Sequence, residues 1–202
     1  MKRESLDNNT EKKRFSVRLS KNELLKDVPP AAILSLNGIS SYYIENEADV
    51  VRFTKGLEVN DAWMEDQPDD ENTSLNILLS DGLIVAVKNY CDSLSNVYFE
   101  SFGIENEIEK KLKIILYRSV CELVNNAMKY ACASNIFVQV IAEDGFISVT
   151  VYDDGKGFDP ETVTIGTGLG NIAQAAIANK GKMKIHSSSK GVEINIEIEQ
   201  RI

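Results

Sequence analysis

The chain of 202 residues has one histidine, one tryptophan, four prolines and three cysteines, and each shortage removes a class of protein. Cys91, Cys121 and Cys132 are odd in number and form no C-x-x-C pair, so neither a disulfide framework nor a zinc site is expected. No apolar run approaches the roughly 18–20 residues of a membrane helix, the best being Leu83 to Val87. Met1-Lys2-Arg3-Glu4-Ser5 has no apolar core behind it, which predicts no secretory signal and a reducing, cytoplasmic setting. With 43% hydrophobic and 26% charged residues the chain can bury a core, so collagen-like and wholly disordered classes are excluded. The net charge of -9 argues against nucleic-acid binding, and by its total also sits badly with an anionic substrate.

That charge is uneven. Residues 1–30 carry eight basic and five acidic side chains, whereas residues 45–71 carry ten acids against Arg52 and Lys55. Residues 73–202 carry a balance of only −4. The acidic stretch ends in Glu65-Asp66-Gln67-Pro68-Asp69-Asp70-Glu71-Asn72, the composition of a solvated linker, which predicts a boundary there. Residues 1–72 are then a poorly defined helical or linker region, and residues 73–202 a domain.

In the first region Ser20-Lys21-Asn22-Glu23 has capping-box spacing and predicts a short helix through Lys26. Pro29-Pro30 blocks it, Ala31 to Tyr43 is apolar enough for a buried helix, and 48–57 suits another. Trp63 is an isolated aromatic suited to covering core surface. The second region is more regular. Asp81 is placed to cap a helix to about Leu94, Val97 to Ser101 reads as a strand, and Asn106 to Ala131 reads as a long helix. Its Leu112, Leu116, Val120, Leu123 and Ala127 form one apolar stripe. Ile136 to Glu143 and Phe146 to Tyr152 are strands joined by the hairpin signal Asp144-Gly145. Gly168 to Ala178 is a helix, and Lys182 to Ser188 and Val192 to Glu199 are strands joined at Lys190-Gly191. The fold class is α+β, with helices on one face of a mixed, largely antiparallel sheet.

Three patches carry chemistry. Glu122, Asn126 and Lys129, at offsets of four and three, share one helix face away from the apolar stripe. Glu122 is a residue type for a general base, Asn126 offers a hard oxygen to Mg²⁺, and Lys129 is a mobile charge for phosphate. Such a stripe is equally the wet side of a helix. Val149 to Tyr152 then runs into Asp153-Asp154-Gly155-Lys156-Gly157. A carboxylate at a strand end can accept from an exocyclic amine, and two glycines let backbone approach a flat base; a plain acidic turn has the same letters. Last, Gly166-Thr167-Gly168-Leu169-Gly170-Asn171 feeds a helix N-terminus, where N–H groups and the dipole favour phosphate. It has neither Walker-A nor Rossmann spacing.

In this order the patches resemble the N, G1 and G2 boxes of the GHKL ATPase superfamily. Glu122-Leu-Val-Asn-Asn126-Ala-Met-Lys129-Tyr130-Ala131, Asp153-Asp-Gly155-Lys-Gly157-Phe-Asp and Gly168-Leu169-Gly170-Asn171-Ile are most similar to the ATP-binding domain of bacterial sensor histidine kinases of the nitrate-sensor and DesK-like group. The resemblance covers residues 78–200 and implies a Bergerat-type α/β sandwich with ATP and Mg²⁺ as cofactors. It implies that Asp153 accepts from the adenine amine, that Gly155 and Gly157 shape that pocket, and that Asn126 holds Mg²⁺. It further implies that Lys129 and Tyr130 contact phosphate or nucleotide, that Gly166, Thr167, Gly168, Leu169, Gly170 and Asn171 end a lid over the triphosphate, and that Glu122 is the general base.

Two departures bear on function. Val192 follows Lys190-Gly191 where the family often has Gly-Thr. Residues 1–121 contain no histidine, and His186 alternates with the apolar Met183 and Ile185, which predicts a surface strand position rather than a phosphoacceptor. Three readings follow: a sensor-kinase catalytic domain acting in trans or within a degenerate kinase, a non-catalytic nucleotide-dependent pseudokinase module, and an anti-sigma-type serine kinase. The implied partners are a response regulator or other signalling protein and a second copy of the chain, with residues 31–57 as the dimerising segment; no nucleic acid or membrane is implied.

Overall fold

The computed structural model describes residues 34–36, 39–54, 71–105, 108–143, 145–159 and 167–199. Strands β1 (Leu34–Leu36) and β2 (Ile39–Ile44) precede helices α1 (Glu47–Phe53), α2 (Glu71–Ser80) and α3 (Leu83–Asp92). Strand β3 (Val97–Gly103) leads to α4 (Lys110–Asn126), which continues as one π-helical turn, Ala127–Ala131. The hairpin β4 (Ile136–Glu143) and β5 (Phe146–Asp153), helix α5 (Thr167–Ala178), and the hairpin β6 (Gly181–Ser188) and β7 (Gly191–Glu199) complete it. The strands form one sheet in the order β1-β2-β6-β7-β5-β4-β3, parallel only between β3 and β4. The expected α+β class is found.

Strand alternation sorts the two faces. Val138, Val140, Val149, Val151, Ile185, Ile194 and Ile196 are buried with Leu116, Val120 and Leu123 of α4, Leu83 and Val87 of α3, and Ile172 and Ala173 of α5. Burial of side chains this size contributes about 1.5–3 kcal/mol each, so the helix layer is fixed mainly by this apolar contact. The opposite face carries Tyr98, Phe137 and Tyr152 stacked across β3, β4 and β5, with ring centroids 5.2 and 5.9 Å apart. His186 lies on β6 between buried Ile185 and Ser187, on that same outer side, with the Tyr43 ring edge-on at 6.0 Å. The surface-strand reading of His186 agrees with this placement.

Four expectations need correction or trimming. Ala31 to Tyr43 does not form a helix: Leu34–Leu36 and Ile39–Ile44 are antiparallel strands, and β2 pairs with β6. Asn37-Gly38 is a favoured hairpin dipeptide, and Ile39, Tyr42, Tyr43 and Ile44 are strand formers; apolar content alone does not separate the two structures. Part of the first region thus joins the sheet of the second. Glu71 and Asn72, read as linker, open α2. The long helix begins at Lys110 after Glu109. The helices expected at 20–26 and at the end of 48–57, and Trp63, lie outside the described residues.

The fourth correction concerns α3. Asp81 does not cap it; Gly82 takes the N-cap position with φ 98°. The carboxylate that serves the exposed N–H groups is Glu105, which accepts from Leu83 N–H at 2.9 Å and Ile84 N–H at 3.0 Å. Lys113 of α4 pairs with the same carboxylate at 2.9 Å. One half-buried side chain therefore ties the start of α3 to α4 through charge-assisted bonds and the helix dipole. Glu105→Ala is expected to cost about 1–3 kcal/mol in urea unfolding at unchanged m-value. A loss under about 0.5 kcal/mol would show that α3 is held by apolar contact alone.

Candidate functional site

The chemistry-bearing residues collect where three elements end or begin: the end of α4 with its π turn, the end of β5, and the start of α5. Glu122 is half-buried on α4 and its Oε1 accepts from Asn126 Nδ2 at 3.2 Å. That bond uses the amide nitrogen and does not occupy the Asn126 oxygen. Across from it stands Gly168 in the first turn of α5, so close that a Cβ there would lie 2.0 Å from Glu122 Oε1. The N and G2 patches therefore touch, through a carboxylate and a glycine whose missing side chain makes the room.

The expected single face of Glu122, Asn126 and Lys129 is modified after Asn126. Ala127–Ala131 is π-helical, so Lys129 and Tyr130 leave the α register, and both are exposed. Tyr130 is 67% exposed, which suits a side chain that contacts a mobile ligand rather than the core. The turn ends at Cys132 in the left-handed region, φ 54°.

Asp153 closes β5 and is buried, 6% exposed. Burial raises its carboxyl above the ordinary range, and the backbone N–H groups of Gly155 and Val192 partly offset this by hydrogen bonding to the charged form. The Gly155 bond is 2.9 Å to Oδ1. At the Gly-Thr departure, Val192 stands opposite Asp153 in the β5–β7 register, and its side chain is buried in the core.

The turn after Asp153 is packed on both sides. A Cβ at Gly155 would lie 2.4 Å from the Ala131 carbonyl oxygen, and Lys156 N–H donates to that oxygen at 3.0 Å. Asp154, which the motif reading passed over, accepts from Ser134 N–H at 2.7 Å, Asn135 N–H at 2.9 Å and Asn135 Nδ2 at 2.8 Å. These bonds hold its carboxyl below the ordinary value. The only sequence signal for Asp154 was adjacency to Asp153. On the far side Gly157, φ +65°, abuts the Ser188 carbonyl. Of the third patch, Thr167 is exposed, Leu169 half-buried, and Gly170 and Asn171 buried at the start of α5; Gly166 lies outside the described residues.

A helix of 12 residues begins at Thr167, with Gly168 beside Glu122, and a helix N-terminus is where anions bind. Among the described residues no group of three or more His, Cys, Asp or Glu could hold a metal ion. One amide oxygen from Asn126 fits Mg²⁺ bound mainly by phosphates and water, and fits no all-protein cage. Among the described residues no helix is long and apolar enough to cross a membrane.

Residues 112–201 match the family of histidine kinase-, DNA gyrase B- and HSP90-like ATPases. The sensor histidine kinase ComP of Bacillus subtilis is 35% identical over 88 residues, which are 42% of this chain and 11% of that protein. The signal transduction histidine-protein kinase/phosphatase DegS of Brevibacillus brevis is 29% identical over 124 residues, 58% of this chain and 32% of that one. The chain thus spans about a third or less of these relatives. A histidine kinase domain from a blue-light activated kinase of Erythrobacter litoralis aligns at TM-score 0.46 and 17% identity, over 75% of this chain and 76% of that one. Glu122 and Asn126 on α4, Asp153 at the end of β5 and Gly168 at the start of α5 all lie within the residues that match this family.

Proposed function

We propose that residues 73–202, with β1 and β2 extending their sheet, act as the ATP-binding catalytic domain of a sensor histidine kinase. The observation that carries this reading is Asp153: a buried carboxylate that accepts from the Gly155 N–H, beside a turn where Gly155 and Gly157 have no room for a Cβ. Such a carboxylate accepts from an exocyclic amine, and the two glycines let the turn pack against Ala131 and Ser188, which fixes it beside Asp153.

In this reading the adenine amine bonds to Asp153, and the triphosphate runs toward the first turn of α5, with Lys129 adding charge. Asn126 would hold Mg²⁺ through its oxygen, and the ion, when bound, would neutralise phosphate charge. Glu122 would take the proton of the attacking nucleophile as the γ-phosphoryl transfers. Positioning and charge neutralisation are the main demands of phosphoryl transfer, and these groups supply them. The phosphoacceptor is a histidine of a partner chain or of another part of a longer protein, and a response regulator is the downstream partner.

The test is titration with a fluorescent ATP analogue and Mg²⁺. Asp153→Ala is expected to weaken binding by about 1–3 kcal/mol, because the adenine amine loses its partner on desolvation. Unchanged affinity would remove Asp153 from the nucleotide pocket. One observation favours a second reading, a nucleotide-dependent pseudokinase module: His186 lies on the outer sheet face, with the sheet between it and the α4 layer carrying Glu122. Mg²⁺-dependent turnover that disappears in Glu122→Ala would count against it. Acid-stable phosphoprotein would favour a serine kinase instead.

A further inference from the structure

The far limb of the turn after Asp153 is anchored by a residue that none of the three boxes contains. Ser187, near the end of β6, is 2% exposed, on the same face of β6 as the buried Met183 and Ile185. Its Oγ–H donates to the Phe158 carbonyl at 2.6 Å, and its oxygen accepts from the Phe158 N–H at 2.7 Å. One hydroxyl therefore satisfies both backbone groups of a single residue, the two bonds a neighbouring strand would otherwise provide. The preceding residue, Gly157, comes so near that a Cβ there would lie 1.9 Å from the Ser188 carbonyl oxygen and 3.1 Å from Ser187 Oγ.

Sheet register carries this anchor to the proposed base pocket. Ser187 pairs with Val192, and Val192 pairs with Asp153, so the three form one line across β6, β7 and β5. Val192 is thus the β7 residue directly opposite Asp153. The turn is thus gripped at Asp153 by β7 and at Phe158 by β6, with Gly155 and Gly157 between the grips. A side chain buried this completely and bonded at two short distances gives Phe158 one position.

We propose that Ser187 is a positioning residue for the base end of the nucleotide site, fixing the backbone of Gly157 and Phe158 against β6. This rests on the reading of Asp153 as the adenine acceptor. Ser187 acts through the turn and does not itself touch ligand.

The test measures displacement of a fluorescent ATP analogue from the full chain by adenosine and, separately, by tripolyphosphate, well below each variant's melting temperature. Ser187→Ala is expected to weaken adenosine by roughly five- to twentyfold and leave tripolyphosphate within about twofold. Ser187→Thr keeps the hydroxyl and is expected to hold adenosine within about twofold of the parent. A merely structural serine would weaken both competitors equally or neither, and either result overturns the proposal. Gly157→Ala attacks the same contact from the turn and is expected to give the same selective loss, so the proposal stays exposed if Ser187→Ala does not fold. Asp153→Ala is the control: if it weakens adenosine while both Ser187→Ala and Gly157→Ala do not, the pocket stands and the Ser187 role falls. A parent chain that binds no ATP analogue overturns both.

Discussion

Glu122→Gln is expected to slow ATP-dependent phosphoryl transfer by roughly 10²–10⁴-fold while changing nucleotide affinity by less than about twofold. The separation follows from geometry. Glutamine has nearly the shape of glutamate, and its carbonyl oxygen can still accept from Asn126 Nδ2, the 3.2 Å bond seen here. The same atom can stay beside Gly168, where α4 and α5 touch. What is lost is the capacity to take a proton, which matters only as the nucleophile attacks. Glu122→Ala is a poorer probe, because it also empties the space facing Gly168 and releases Asn126. The measurement is a pair: single-turnover transfer from labelled ATP to a histidine-bearing partner, and equilibrium titration of the analogue. Equal rates in parent and variant would leave Glu122 a structural link between the two boxes. Equal loss of rate and affinity would place it in ground-state binding.

Local periodicity made most of the second half legible. The stripe Leu112, Leu116, Val120 and Leu123 is buried on α4, and Asp144-Gly145 lies between the paired strands β4 and β5 as its turn chemistry predicts. Two of the misreadings share a cause, which is pairing at long range. Ile39 finds its partner at Ser188, and no window around Ala31 to Tyr43 shows that a strand edge awaits it. Asp81 looked like the cap of α3 because caps are usually adjacent, whereas Glu105 arrives from 22 residues away. The site divides the same way. Glycines and carboxylates in the three boxes are visible because their residue types are unusual in those patterns. Asp154 and Ser187 are common polar residues whose roles depend on partners 20 and 29 positions away. The π turn at Ala127–Ala131 shifts Lys129 without any local mark in the sequence.

Gly191→Ala is expected to cost about 2–4 kcal/mol of folding stability and to weaken the ATP analogue more than tenfold in the molecules that remain folded. Gly191 opens β7 at φ +133°, a conformation L side chains rarely adopt. A Cβ there would lie 1.8 Å from the Asp153 carbonyl oxygen, 2.9 Å from its carbon and 3.2 Å from Asp154 Cα. Every one of those atoms is backbone, so no rotamer change relieves the overlap. Gly168 is different: the atoms nearest its added Cβ belong to the Glu122 side chain, which can swing aside. At Gly191 either β7 must separate from β5, moving Val192 away from Asp153 opposite it, or Asp153 must shift its backbone. Each route misplaces the carboxylate proposed to read adenine, so loss of stability and loss of binding should arrive together. Urea unfolding with analogue titration on the same preparation tests this coupling. A variant that unfolds like the parent would mean the β6–β7 turn relaxes without disturbing β5. A variant that loses stability but binds normally would separate Asp153 from this turn and place its orientation with Gly155 alone.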